Sequence, residues 1–87
     1  MVESRVTVVS PVGLHARPAA LLVQEAAKYD CHLILEYGRR RANAKSILQV
    51  LALGVKNGEE VRICAEGKGE EEAIVALERL CRAGLDA

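Results

Sequence analysis

Pro18 constrains the fold of this chain more than any other single residue. Ala19, Leu22, Val23, Ala26 and Tyr29 recur at helical spacing, so a helix is expected over residues 16–29. Proline lacks an N–H and its ring collides with the preceding turn, so it fits only the first turn of a helix. That requirement puts the helix start at residues 15–17. His15 is then the N-cap or its neighbour, in the stretch Gly13-Leu14-His15-Ala16-Arg17-Pro18-Ala19.

The remaining segments follow the same logic. Residues 2–9 are rich in β-branched side chains, with Val6 and Val8 on one face and Arg5 and Thr7 on the other, as in a half-buried strand. Ser10-Pro11-Val12-Gly13 ends it with turn chemistry. Residues 31–37 alternate again, with Leu33, Leu35 and Tyr37 opposite His32, Ile34 and Glu36. Gly38-Arg39 reads as a two-residue hairpin turn, and the polar return Arg40 to Asn43 suits an edge strand. Ser46 and Gln49 have capping-box spacing ahead of a short apolar helix that Gly54 should stop. After the turn Asn57-Gly58, residues 60–66 form a fourth strand and residues 70–83 a last helix, buried through Ala73, Ile74, Leu77, Leu80 and Cys81 and ended by Gly84. Glu70, Glu71 and Glu72 at its start and Arg79 and Arg82 near its end complement the helix dipole. The expectation is one α+β domain over residues 1–87 in the order β-α-β-β-α-β-α. It is an open-faced β-sandwich whose four-stranded, mainly antiparallel sheet is covered on one face by three helices.

Composition narrows the functional classes. The 87 residues are 51% hydrophobic and carry 12 basic and 12 acidic side chains, so a compact core is expected and disorder is not. Tyr29 and Tyr37 are the only aromatics, so that core must be aliphatic. A net charge of zero gives no reason to expect nucleic acid or a membrane surface as partner. No apolar run approaches the ~18 residues of a membrane span, and the N-terminus lacks a signal-peptide pattern. Cys31, Cys64 and Cys81 have neither disulfide nor zinc spacing. A cytoplasmic monomer with reduced thiols and no metal or cofactor is expected.

The chemistry concentrates at Gly13–Ala19. A helix start offers unpaired N–H groups and the positive end of the dipole, and so favours an anion, most often phosphate. It also disfavours imidazolium, which would keep His15 neutral and nucleophilic. The N–H groups of Ala16 and Arg17 and the Arg17 guanidinium are donors for phosphoryl oxygens. Phosphoryl transfer depends mainly on such positioning and charge stabilisation. On chemistry alone, a histidine ahead of a helix is more often a simple cap or surface residue.

Two sequence words weigh against the plainer reading. Gly13-Leu14-His15-Ala16-Arg17-Pro18-Ala19 and Asn43-Ala44-Lys45-Ser46-Ile47-Leu48 both resemble the histidine-containing phosphocarrier family, HPr, of the bacterial sugar phosphotransferase system. The resemblance spans essentially the whole chain. It implies that His15 accepts a phosphoryl group on Nδ1 from phosphorylated enzyme I and passes it to IIA units of sugar permeases, steadied by Arg17. It implies regulatory phosphorylation of Ser46 by an HPr kinase/phosphorylase, and a catabolite-control transcription regulator as partner of that form. It implies that Ile47, Leu48 and Leu51 dock enzyme I and IIA. The chain departs from the common pattern at Gly38-Arg39, Leu48 and Gln49.

Plainer roles stand beside these. Ser46 is also a helix N-cap worth ~1 kcal/mol. Residues 47–53 are apolar nearly all round, too much for a small sheet to cover, so part of Ile47, Leu48 and Leu51 should be exposed. Arg39, Arg40 and Arg41 read as a solvated hairpin, and His32 as a solvent-facing strand residue. Pairing His32 with Cys31 on a metal fails because adjacent strand residues point to opposite faces. Two other functions are open: a paralogous carrier of a nitrogen-related or dihydroxyacetone-related chain, and a non-phosphorylated interaction module in which His15 is only a cap.

Overall fold

The computed structural model describes residues 1–11 and 13–83. In chain order the elements are β1 (Val2–Thr7), α1 (Ala16–Ala26), β2 (His32–Tyr37), β3 (Arg40–Asn43), α2 (Ile47–Leu53), β4 (Glu60–Glu66) and α3 (Glu70–Ala83). The sheet order is β1-β4-β2-β3 and every pairing is antiparallel. The expected open-faced sandwich is thus the observed one. β4 inserts between β1 and β2, so each of the first two helices crosses over a strand that arrives from elsewhere in the chain.

Register puts the apolar residues on the helix side. Val6 pairs with Val61, and Leu35 pairs with both Ile63 and Ala42. Because strand side chains alternate between faces, these residues meet the helices together. Leu22 of α1, Leu53 of α2 and Leu77 of α3 are fully buried against Leu33, Leu35 and Ile63. The core is aliphatic, and both tyrosines are only partly buried against it. The other face is charged: Arg62 pairs with Glu3 and Glu36, and Glu36 also takes Arg41. His32 lies exposed on that face. The three cysteines are free and buried, and burial pushes the Cys81 thiol up to about 12. No described helix is long and apolar enough to cross a membrane.

Several boundaries differ from the sequence expectation. α1 ends at Ala26 and not at residue 29. Lys28 and Tyr29 donate to Glu25 and Ala26, bonds that tighten the chain out of the helix. Lys45 Nζ then donates to the Tyr29 carbonyl from across the fold. β1 stops at Thr7 because Val9 turns away and donates to the Cys81 carbonyl on α3. β2 begins at His32, one residue late. The capping box is only half made. Ser46 Oγ accepts from the Gln49 N–H, but Gln49 Oε1 accepts from the Asn43 N–H and not from Ser46. Gly54 caps α2 as expected, in the left-handed region at φ 68°. The expected stop at Gly84 lies outside the described residues.

Candidate functional site

The loop ahead of α1 is built by close backbone packing. Gly13 sits at φ 78°, and a Cβ there would come within 2.6 Å of the Val55 carbonyl oxygen. Only glycine tolerates both the positive φ and the approach. Leu14 is buried in the core and donates its N–H to the same Val55 carbonyl at 2.9 Å. The chain then surfaces. His15, Ala16 and Arg17 are exposed, and Pro18 and Ala19 turn back into the core.

His15 is the N-cap of α1, with extended backbone at φ −92° and ψ −169°. Its carbonyl accepts the first helical bond, from the Ala19 N–H at 2.9 Å. Its own N–H donates to Gly13 at 3.0 Å. His15 thus takes the N-cap position expected from the sequence, and its imidazole makes no capping bond to the helix. The N–H groups of Ala16 and Arg17 head the helix without intrahelical acceptors. Arg17 is exposed and carries no ion pair among the described residues. An imidazole, a guanidinium and two N–H donors thus share one exposed helix start.

His15 and Arg17 lie away from the cavity on the open face of the sheet. That cavity, of about 270 Å³, lies among Glu3, Ile34, Glu36, Arg62 and Cys64.

The second sequence word runs from the end of β3 into the first turn of α2, which packs against α1. Leu48 is 78% exposed and Ile47 38% exposed, while Leu51 is partly buried against the core. The expected division of this helix between core and surface therefore holds. Leu21 on α1 is 36% exposed and was not singled out from the sequence. Its apolar character off the buried spacing of Leu22 was the available signal.

The two helices run in opposite directions. Val55, just beyond α2, touches the loop before α1, and Lys45, just before α2, touches the chain after α1. His15 and Ser46 are therefore brought to opposite ends of α2. Ser46 is half-buried and occupied as the α2 N-cap.

A four-stranded open sandwich covered by three helices, with an exposed histidine heading the first of them, defines a small open-faced α+β class. Known proteins specify the class. A family model described as the PTS HPr component phosphorylation site matches residues 2–83. The chain is similar to HPr-C-His from Thermoanaerobacter tengcongensis, at 44% identity and TM-score 0.92 over 95% of this chain and 93% of that one. It is similar to the phosphocarrier protein HPr of Bacillus anthracis strain Ames, at 40% identity and TM-score 0.88 over 92% and 95% of the two chains. It also resembles the Bacillus subtilis catabolite repression protein Crh, whose structure is an intertwined, domain-swapped dimer, at 40% identity and TM-score 0.78 over 97% of each chain. The chain belongs to the HPr family of phosphocarrier proteins of the phosphotransferase system. Proteins of that family carry a phosphoryl group and are not catalysts.

Proposed function

We propose that residues 1–87 act as one cytoplasmic, monomeric phosphocarrier domain in which His15 is the phosphoryl acceptor. Nδ1 of neutral His15 attacks the phosphoryl group on enzyme I. The bond from phosphorus to the donor breaks as the bond to His15 forms, and the reverse chemistry delivers the group to a sugar-specific IIA unit. The protein is consumed and regenerated stoichiometrically. Arg17 and the N–H groups of Ala16 and Arg17 steady the charge. The observation that carries this reading is the exposed His15 at the N-cap of α1 with an exposed Arg17 two residues on.

Partners dock on Ile47, Leu48 and Leu51; Ile47 and Leu48 expose apolar surface, and Leu51 is partly buried against the core. Ser46 is the site of regulatory phosphorylation by an HPr kinase/phosphorylase, and the modified form engages a catabolite-control transcription regulator. Because His15 lies at the other end of α2, a phosphate on Ser46 acts on the docking face and not on the histidine. Its charge of about −2 is set beside apolar groups that a partner must desolvate.

The test is phosphorylation with phosphoenolpyruvate and enzyme I, followed by mapping of the modified residue. An acid-labile, base-stable adduct on His15 supports the reading. A His15→Ala variant that still accepts phosphate, with His32→Ala failing to, overturns it. Incubation with ATP and HPr kinase, with Ser46→Ala as control, tests the second site.

A further inference from the structure

We propose that Asn57 is a positioning residue for His15, acting through Ser10 and Gly13. The inference rests on His15 being the phosphoryl acceptor. Ser10 is the one buried polar side chain among the described residues, at 0% exposure. Such a group is kept in a core only with its hydrogen bonds made. Ser10 Oγ donates to the Gly13 carbonyl at 2.7 Å, and the Gly13 N–H donates back to the Ser10 carbonyl at 2.8 Å. That same Gly13 carbonyl accepts the His15 N–H. The hydroxyl and the histidine amide are thus fastened to one oxygen.

Asn57 closes the arrangement from 47 residues away. Its Oδ1 accepts the Ser10 N–H at 2.9 Å. It stands between two further tethers of the same segment, the Val55 carbonyl on Leu14 and the Gly58 N–H, which donates to Val8 at 2.9 Å. The segment between α2 and β4 therefore grips the chain from Val8 to Leu14, and Asn57 supplies its only side-chain bond to that chain among the described residues. Without that acceptor the Ser10 N–H loses its partner. The turn that carries the Gly13 carbonyl, and with it the His15 backbone, gains freedom. Reactions that depend on alignment are sensitive to displacements on this scale.

Asn57 also sits in an Asn-Gly turn, and two substitutions separate the roles. Asn57→Gly keeps a residue suited to the turn and removes the acceptor. Asn57→Asp keeps both. The full chain and both variants are compared for the rate of phosphoryl transfer from phosphorylated enzyme I as a function of carrier concentration. Exchange of the His15 amide is followed by NMR in the same proteins. Asn57→Gly should lower kcat roughly tenfold or more with KM unchanged, because the docking face on α2 is untouched. Its His15 amide should exchange faster, and Asn57→Asp should restore both. Transfer at the parent rate by Asn57→Gly, an Asn57→Asp variant as slow as Asn57→Gly, or a change confined to KM would each overturn the proposal. A parent chain that is never labelled on His15 refutes the acceptor reading instead. Unchanged His15 amide exchange in Asn57→Gly then overturns the positioning claim on its own.

Discussion

Leu14 donates its backbone N–H to the carbonyl of Val55 at 2.9 Å, and this bond joins the loop that presents His15 to the chain leaving α2. The two sequence words that identify the family are therefore held at fixed separation by the backbone. α2 has seven residues, so it spans only about 10 Å at 1.5 Å per residue.

Ser46 lies at the far end of that short helix, so its role as N-cap and its proposed regulatory role separate experimentally. Ser46→Ala removes the acceptor for the Gln49 N–H and should cost ~1 kcal/mol. In a domain of this size that lowers Tm by roughly 4–8 °C. Ser46→Asp keeps a capping oxygen, so its Tm should stay near the parent value. The added charge on the docking face should raise KM for enzyme I by about tenfold, equivalent to ~1.4 kcal/mol, and leave kcat alone. Calorimetry and steady-state transfer assays read the two effects.

Two leucines of α2 should behave oppositely. Leu48 is 78% exposed, and Leu48→Ala should leave stability within about 0.5 kcal/mol while weakening partner binding by more than ~1 kcal/mol. Leu53 is 2% exposed in the core, and Leu53→Ala should cost ~2–5 kcal/mol of folding stability. Urea denaturation together with KM measurements distinguishes them.

Glu59 couples stability to acid. The Tyr37 hydroxyl donates to its carboxylate and the Lys56 N–H donates at 3.0 Å, so the carboxyl is held below the usual carboxylate range. A lowered folded pKa contributes stability that is full above the ordinary carboxylate value and is lost as pH falls through the folded one. Urea midpoints should therefore decline on acidification below the ordinary carboxylate range. Glu59→Gln should flatten that decline while lowering stability at neutral pH.

What was legible in the sequence was local. Pro18 located the start of α1 because its constraint acts within one turn. Gly54 located the end of α2 for the same reason, and the period-two alternation of residues 60–66 gave β4 to the residue. What was not legible was set by distant parts of the chain. The Tyr29 carbonyl after α1 is taken by Lys45 from across the fold, and the Gln49 side chain was diverted to Asn43 by the end of β3. The link from Asn57 to Ser10 spans 47 residues and leaves no mark in local spacing. At the site, the residue types at His15 and Arg17 suggested phosphate. The opposite ends assigned to His15 and Ser46 required the packing of α1 on α2.

The most direct test of the account is phosphohistidine mapping by NMR after incubation with phosphoenolpyruvate and enzyme I. One phosphoryl group per chain, on Nδ1 of His15 and absent from His15→Ala, is the predicted result. A phosphoryl group on His32, or an unlabelled chain in the presence of active cognate enzyme I, would contradict it.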